Sequence, residues 1–151
     1  MPGNREIRAM LKILALVDGS KSSSRAVQYL VDLSAACKEA PGIHLLNVQM
    51  PVTPGNIGRH VSHGDLDDYY HEEGMRALAP ARTLLDKAGV KHTFHIGVGD
   101  IAETVAKYVK ELAAQQIAMG TRGLGPVAGM LLGSVTTKVV QAVEVPIVLV
   151  K

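Results

Sequence analysis

The sequence predicts an α/β fold: an open, mainly parallel five-stranded sheet with helices on both faces. Two observations predict it. Short unbroken apolar runs alternate along the whole chain with longer stretches whose apolar residues recur at helical spacing. Nearly every change from one pattern to the other is marked by glycine, proline or a short polar cluster. Strands that alternate with helices pair in parallel, and right-handed crossovers place helices over both faces of the sheet. With 151 residues, 47% of them apolar, the chain is long enough for one domain with its own core and too short for two.

The polar start from Met1 to Ala9, with Pro2 and Gly3, is expected to be a flexible arm, and residues 10–151 a single domain. Lys12 to Val17 is an apolar run of the kind found in a strand covered on both faces. It ends at Asp18-Gly19-Ser20, and Ser20 to Ser24 offer hydroxyls that cap a helix. Val27, Leu30, Val31, Ser34 and Cys37 fall on one stripe of that helix, so Cys37 is expected to pack. Pro41-Gly42 stops the helix, and Ile43 to Val48 forms the second strand. Pro51 to Gly64 reads as a long loop, and loops of that length are commonly functional. A helix is expected from about Asp65 to Lys87, with Gly74 a weak point and Pro80 a kink. His92 to Val98 has the mixed polarity of an edge strand. Asp100-x-x-Glu103 opens the next helix as a relative of the capping box, with Ile101, Val105, Tyr108, Val109 and Leu112 on its buried stripe. Gln116 to Met119 is the fourth strand, a last helix starts at Ser134, and Val145 to Val150 is the fifth strand.

Composition removes several function classes. The formal charge is +2 with no basic cluster, and aromatics are 3% with no Trp, so a nucleic-acid surface is not expected. The single cysteine excludes an internal disulfide and a cysteine zinc cage. No apolar run approaches the ~20 residues of a membrane span, and the first nine residues lack a signal-peptide core. A cytoplasmic protein is the expectation.

The most informative stretch lies between the fourth strand and the last helix. Gly120 and Gly123 stand two residues apart, and Gly133-Ser134 follows Gly123 after nine residues. Glycines let main-chain N–H groups approach a ligand, and a helix N-terminus offers unpaired N–H groups and a favourable dipole. Strand, glycine loop and helix start together read as a phosphate cradle. Other phosphate motifs are absent from the sequence. There is no GxxxxGK[ST], and no GxGxxG after the first strand; Gly123-x-Gly125-x-x-x-Gly129 is late and wrongly spaced. Asp18-Gly19-Ser20-Lys21-Ser22 lacks the paired glycines of an SGGxDS loop.

Gly120-x-x-Gly123, nine residues, then Gly133-Ser134 resembles the ATP-binding signature of the universal stress protein family. The resemblance runs from Met10 to Lys151 and includes Leu16-Val17-Asp18-Gly19-Ser20, Gly99-Asp100 and the Val145-Pro146-Ile147-Val148-Leu149-Val150 ending. It implies a Rossmann-like sheet in the order 3-2-1-4-5. Ligands in such sheets sit beyond the carboxyl ends of the strands, where the order reverses. It implies that adenine and ribose would lie near Leu16, Val17 and Asp18, with Val48 against the base. Met119 would end the strand beside them, and Gly120, Thr121, Arg122, Gly123, Leu124, Gly125 and Pro126 would wrap the ribose and phosphates. Gly133, Ser134, Val135 and Thr136 would hold the phosphate tail. The implied ligand is ATP, with AMP or ADP as alternatives, together with Mg²⁺; Asp18 would accept from a ribose hydroxyl or help hold the Mg²⁺ through water. Gln116 stands where many relatives carry Asp, at a position expected to lie outside the site. The resemblance also implies a homodimer through Val145 to Val150, a bare apolar edge where Pro146 lacks an N–H.

The functional expectation is a nucleotide-dependent stress-response switch or sensor whose loops are read by an unidentified protein partner. A slow ATPase or autokinase and a nucleotide-free dimeric scaffold are the competing classes; no committed catalytic set stands out. The same residues carry plainer readings. The glycines serve turns, Ser134 caps a helix, Asp18 caps the first helix, and Arg122 is an exposed loop arginine. His60, His63, Asp65, Asp67, Asp68 and His71 hint at metal, but acids at a helix start answer its dipole, and no paired ligand spacing supports a metal there. His44, His92 and His95 lie in strands and are expected to be structural.

Overall fold

The computed structural model of the chain describes residues 10–53, 62–121 and 132–151. The arm expected over Met1 to Ala9, most of the Pro51–Gly64 loop and the stretch from Arg122 to Leu131 lie outside the described residues. The elements are β1 (Lys12–Leu16), α1 (Lys21–Ala36), β2 (Gly42–Gln49), α2 (His63–Lys87), β3 (His92–Val98), α3 (Ile101–Leu112), β4 (Gln116–Gly120), α4 (Ser134–Ala142) and β5 (Ile147–Val150). The strands form one parallel sheet in the order β3-β2-β1-β4-β5, so the chain reverses direction of growth between β1 and β4. This is the Rossmann-like arrangement that the family resemblance implied.

Period-two alternation on the central strands divides the core in two. Ile13, Ala15 and Val17 point to one face with Ile43, Leu45 and Ala118, where they meet Val27 and Leu30 of α1 and Leu78, Ala81 and Leu85 of α2. Leu14 and Leu16 point to the other with Leu46, Ile117 and Met119, against Val105 of α3 and Val139 of α4. A strand buried on both faces must be apolar at every position, which explains the unbroken run at β1.

Several boundaries depart from expectation for local reasons. The first helix stops at Ala36, and Cys37 is an extended C-cap whose N–H donates to Leu33 O; its side chain is exposed and does not pack. The long helix begins at His63, two residues early, because Ser62 and Asp65 form a full capping box. It continues through Pro80. Gly74 is a close-packing position rather than a weak point: a Cβ there would stand 2.6 Å from Ile96 Cδ1. Of the predicted Asp100–Glu103 box only the Asp half is present, its carboxylate accepting from the N–H groups of Ala102 and Glu103. The last strand starts at Ile147, after Pro146.

Candidate functional site

Where the sheet reverses, the carboxyl ends of β1 and β4 diverge and leave a cleft. It is lined by Leu16, Val17, Asp18, Ser23, Leu46, Asn47, Val48, Ile101, Met119, Gly120, Val135 and Thr136, and spans about 500 Å³ including its open mouth. Eight of these residues were expected from the sequence to share a site: Leu16, Val17, Asp18, Val48, Met119, Gly120, Val135 and Thr136. Thr121, Gly133 and Ser134 flank it, with Gly133 N–H donating to Thr121 O at 2.8 Å and so joining the end of β4 to the start of α4. Arg122, Gly123, Leu124, Gly125 and Pro126 lie outside the described residues.

The floor is apolar, formed by Leu16, Leu46, Val48, Ile101 and Met119. Asp18 is half-buried at the rim, and its Oδ1 accepts from Ser20 N–H at 2.9 Å. Asp18 therefore closes the turn after β1, with Gly19 at φ +83 completing it. Ser20, not Asp18, caps α1 by accepting from Ser23 N–H. One Asp18 carboxylate oxygen thus has a hydrogen-bond partner in the turn, and the other makes no hydrogen bond or ion pair among the described residues.

On the opposite wall, α4 starts differently from the other helices. Ser20, Ser62 and Asp100 each close a helix start with a side-chain acceptor, whereas α4 begins on Gly133, which has no side chain to do so. Ser134 is consequently the first helical residue rather than the N-cap. Its N–H and those of Val135 and Thr136 belong to the first turn, where no intrahelical carbonyl is available. They present the positive end of the helix at the cleft. Thr136 is buried, and its hydroxyl donates to the carbonyls of Gly120 and Thr121 at 3.3 and 3.4 Å. That side chain is committed to holding α4 on β4, so only its main-chain N–H is left for an anion.

Sequence reasoning missed Ser23, Leu46, Asn47 and Ile101. Asn47 carries a signal that was available: an amide side chain among the apolar Leu45, Leu46 and Val48 of β2. It is buried, donates to Val17 O at 2.8 Å and accepts from Gln49 Nε2 at 2.5 Å. Val17 N–H in turn donates to Leu46 O. These bonds tie the last turn of β1 to β2 and fix one wall of the cleft.

Comparison with known proteins decides the family. A model of the universal stress protein family matches residues 10–151. The chain belongs to that family. The universal stress protein YxiE of Bacillus subtilis is 27% identical over 145 residues, covering 93% of this chain and 98% of YxiE. Among solved structures, that of the hypothetical protein MJ0577 is 25% identical with a TM-score of 0.78, covering 93% of this chain and 95% of the other. A universal stress protein crystallised in complex with cAMP is 23% identical with a TM-score of 0.66, covering 95% and 98%. The likeness to that complex shows a shared fold. No helix among the described residues is long and apolar enough to cross a membrane.

Proposed function

We propose that residues 10–151 act as one unit that binds an adenine nucleotide, ATP foremost, in the cleft between β1 and β4. The observation that carries this reading is the pairing, across one cleft, of an apolar floor with a helix start that lacks its own cap. The base would lie on Leu16, Val48 and Met119, with Val17 beside it. Asp18 would accept from a ribose hydroxyl or hold Mg²⁺ through water with its remaining oxygen. The phosphates would sit on the N–H groups of Gly133, Ser134, Val135 and Thr136, wrapped by the chain from Gly120 through Thr121, Arg122, Gly123, Leu124 and Gly125 to Pro126. The cAMP held by a protein of the same fold supports an adenosine phosphate as the ligand class.

In this reading the protein is a cytoplasmic stress-response switch, a homodimer through Val145–Val150 whose nucleotide state a partner protein reads. β5 is the sheet edge such a dimer would use. Slow hydrolysis or autophosphorylation is the enzyme alternative. Protein purified without added ligand and then denatured is expected to release an adenine nucleotide detectable by mass spectrometry. Titration calorimetry with ATP and AMP is expected to show saturable binding that Gly133→Val abolishes while circular dichroism stays unchanged. Normal ATP binding by a folded Gly133→Val variant would remove the cradle from the argument. Phosphate release above background that disappears in Asp18→Ala would instead favour the enzyme.

A further inference from the structure

The sheet ends on one side at β3, which pairs with β2 and with no further strand among the described residues. Its outer side therefore carries a row of main-chain N–H and C=O groups, a template for another extended chain. Natural sheets protect such an edge with charged side chains, with proline or by keeping the strand very short. β3 uses none of these devices. It is seven residues long, and from His92 to Val98 it contains no Lys, Arg, Asp, Glu or Pro. The opposite edge, β5, has four residues and follows Pro146.

The side chains along this edge add chemistry to the open backbone. Phe94, Ile96 and Val98 alternate onto the α2 face of the sheet. Ile96 packs on Gly74, whereas Phe94 is 37% exposed and Val98 45%. The guanidinium of Arg82, on α2, lies over the Phe94 ring with its central carbon 4.5 Å from the ring centroid. Stacking of that kind occupies the flat face of the guanidinium and leaves its N–H fork to other partners. Arg82 makes no hydrogen bond or ion pair with any described residue, and its Nε is buried without a partner. Asp86, one helical turn further along α2, is directed instead at His92, 3.8 Å from its Nε2.

We propose that the outer edge of β3 receives an extended, acidic segment of a partner protein, which adds a strand to the sheet and places a carboxylate on Arg82. In strand addition the main-chain hydrogen bonds supply affinity and alternate side chains supply specificity. Here the specificity would come from Phe94 and Val98, which suit apolar side chains, and from the Arg82 fork, which suits a carboxylate. The same charge selects against a second copy of the chain as the occupant. Two copies paired antiparallel through β3 would bring two unpaired Arg82 guanidiniums to one face of the joined sheet, with like charges opposed. The β3 edge shares no residue with the nucleotide cleft or with the β5 edge, so its success or failure is independent of the nucleotide reading and of the dimer.

The test uses the full chain labelled with ¹⁵N and a set of blocked peptides as long as β3. One alternates valine with glutamate, one alternates valine with lysine, and one is the glutamate peptide with a central proline. The glutamate peptide is expected to shift the β3 amides saturably and to slow their hydrogen exchange. The lysine peptide is expected to bind about tenfold more weakly or less, the worth of one charge-assisted hydrogen bond, and the proline peptide to lose the exchange protection. Arg82→Gln, checked for native circular dichroism, is expected to weaken the glutamate peptide about tenfold; the comparison among peptides needs no variant. Absence of a saturable response in β3 would overturn the proposal, as would equal affinity for the glutamate and lysine peptides or unchanged affinity in folded Arg82→Gln. So would a response confined to β5, or protection of β3 that grows with protein concentration alone, which would assign the edge to a second copy.

Discussion

Replacing Gly120 by alanine probes why a glycine ends β4. A Cβ at this position would stand 2.1 Å from Ser22 Oγ, 2.8 Å from the Ser22 carbonyl carbon and 2.9 Å from Ser22 Cβ. The first of these contacts involves a side-chain tip that rotates away. The second involves the backbone of the first turn of α1, so relief requires the helix to move off the strand. Overpacking of this kind costs about 1–3 kcal/mol, and the backbone contact argues for the upper part of that range. For a chain of 151 residues each kcal/mol is worth about 2–4 °C in melting temperature. Gly120→Ala is therefore expected to melt roughly 4–12 °C lower in differential scanning calorimetry. Ser22→Ala removes only the Oγ contact and leaves the other two. A double-mutant cycle with Gly120→Ala should accordingly recover less than half of the loss. A Gly120→Ala protein with unchanged melting temperature would refute the reasoning, because the approach of α1 is what makes the added carbon costly.

Three further outcomes follow from the structure. Ala113 ends α3 at φ 51, ψ 43, a conformation that costs an alanine about 1–2 kcal/mol, so Ala113→Gly is expected to raise urea stability by about 1 kcal/mol. Asn47→Leu keeps the volume but leaves Val17 O without the 2.8 Å donor, and a loss of about 1–3 kcal/mol is expected by denaturant titration. Burial and mutual repulsion lower the pKa of His44, and burial lowers that of His95. The unfolded chain therefore binds protons first as pH falls below the ordinary value of 6.5, and stability is expected to be full above it and to decline through the folded values. Unfolding measured from pH 7.5 to 4.5 should flatten in a His44→Gln/His95→Gln variant; an unchanged slope would assign the dependence to other groups.

Much of the fold was legible because burial on both faces leaves few choices of residue. The run at β1 and the stripes of α1 and α3 reveal themselves by period alone. Boundaries were less legible where one hydrogen bond decides them. Ser62 and Asp65 moved the start of α2, and the extended backbone at Cys37 turned its side chain out to solvent. The cleft was readable at Asp18 and along Met119 and Gly120, since strand ends followed by glycine point to a loop. Gly120 has a second reason to be glycine. Its lack of a side chain serves the approach of α1, a contact between segments almost 100 residues apart that no local pattern carries. The closeness of His44 and His95, whose ring nitrogens stand 3.3 Å apart, was equally hidden: they look like isolated strand residues until the register of β2 on β3 is known.

The glycine start of α4 has a consequence for how the protein must be handled. If α4, which has no side-chain cap among the described residues, seats an anion as proposed, phosphate or sulfate in a buffer would act there as an unplanned reagent. Melting curves recorded in phosphate and in chloride would then describe two differently occupied proteins. The choice of salt belongs among the controlled variables of any assay made on this chain.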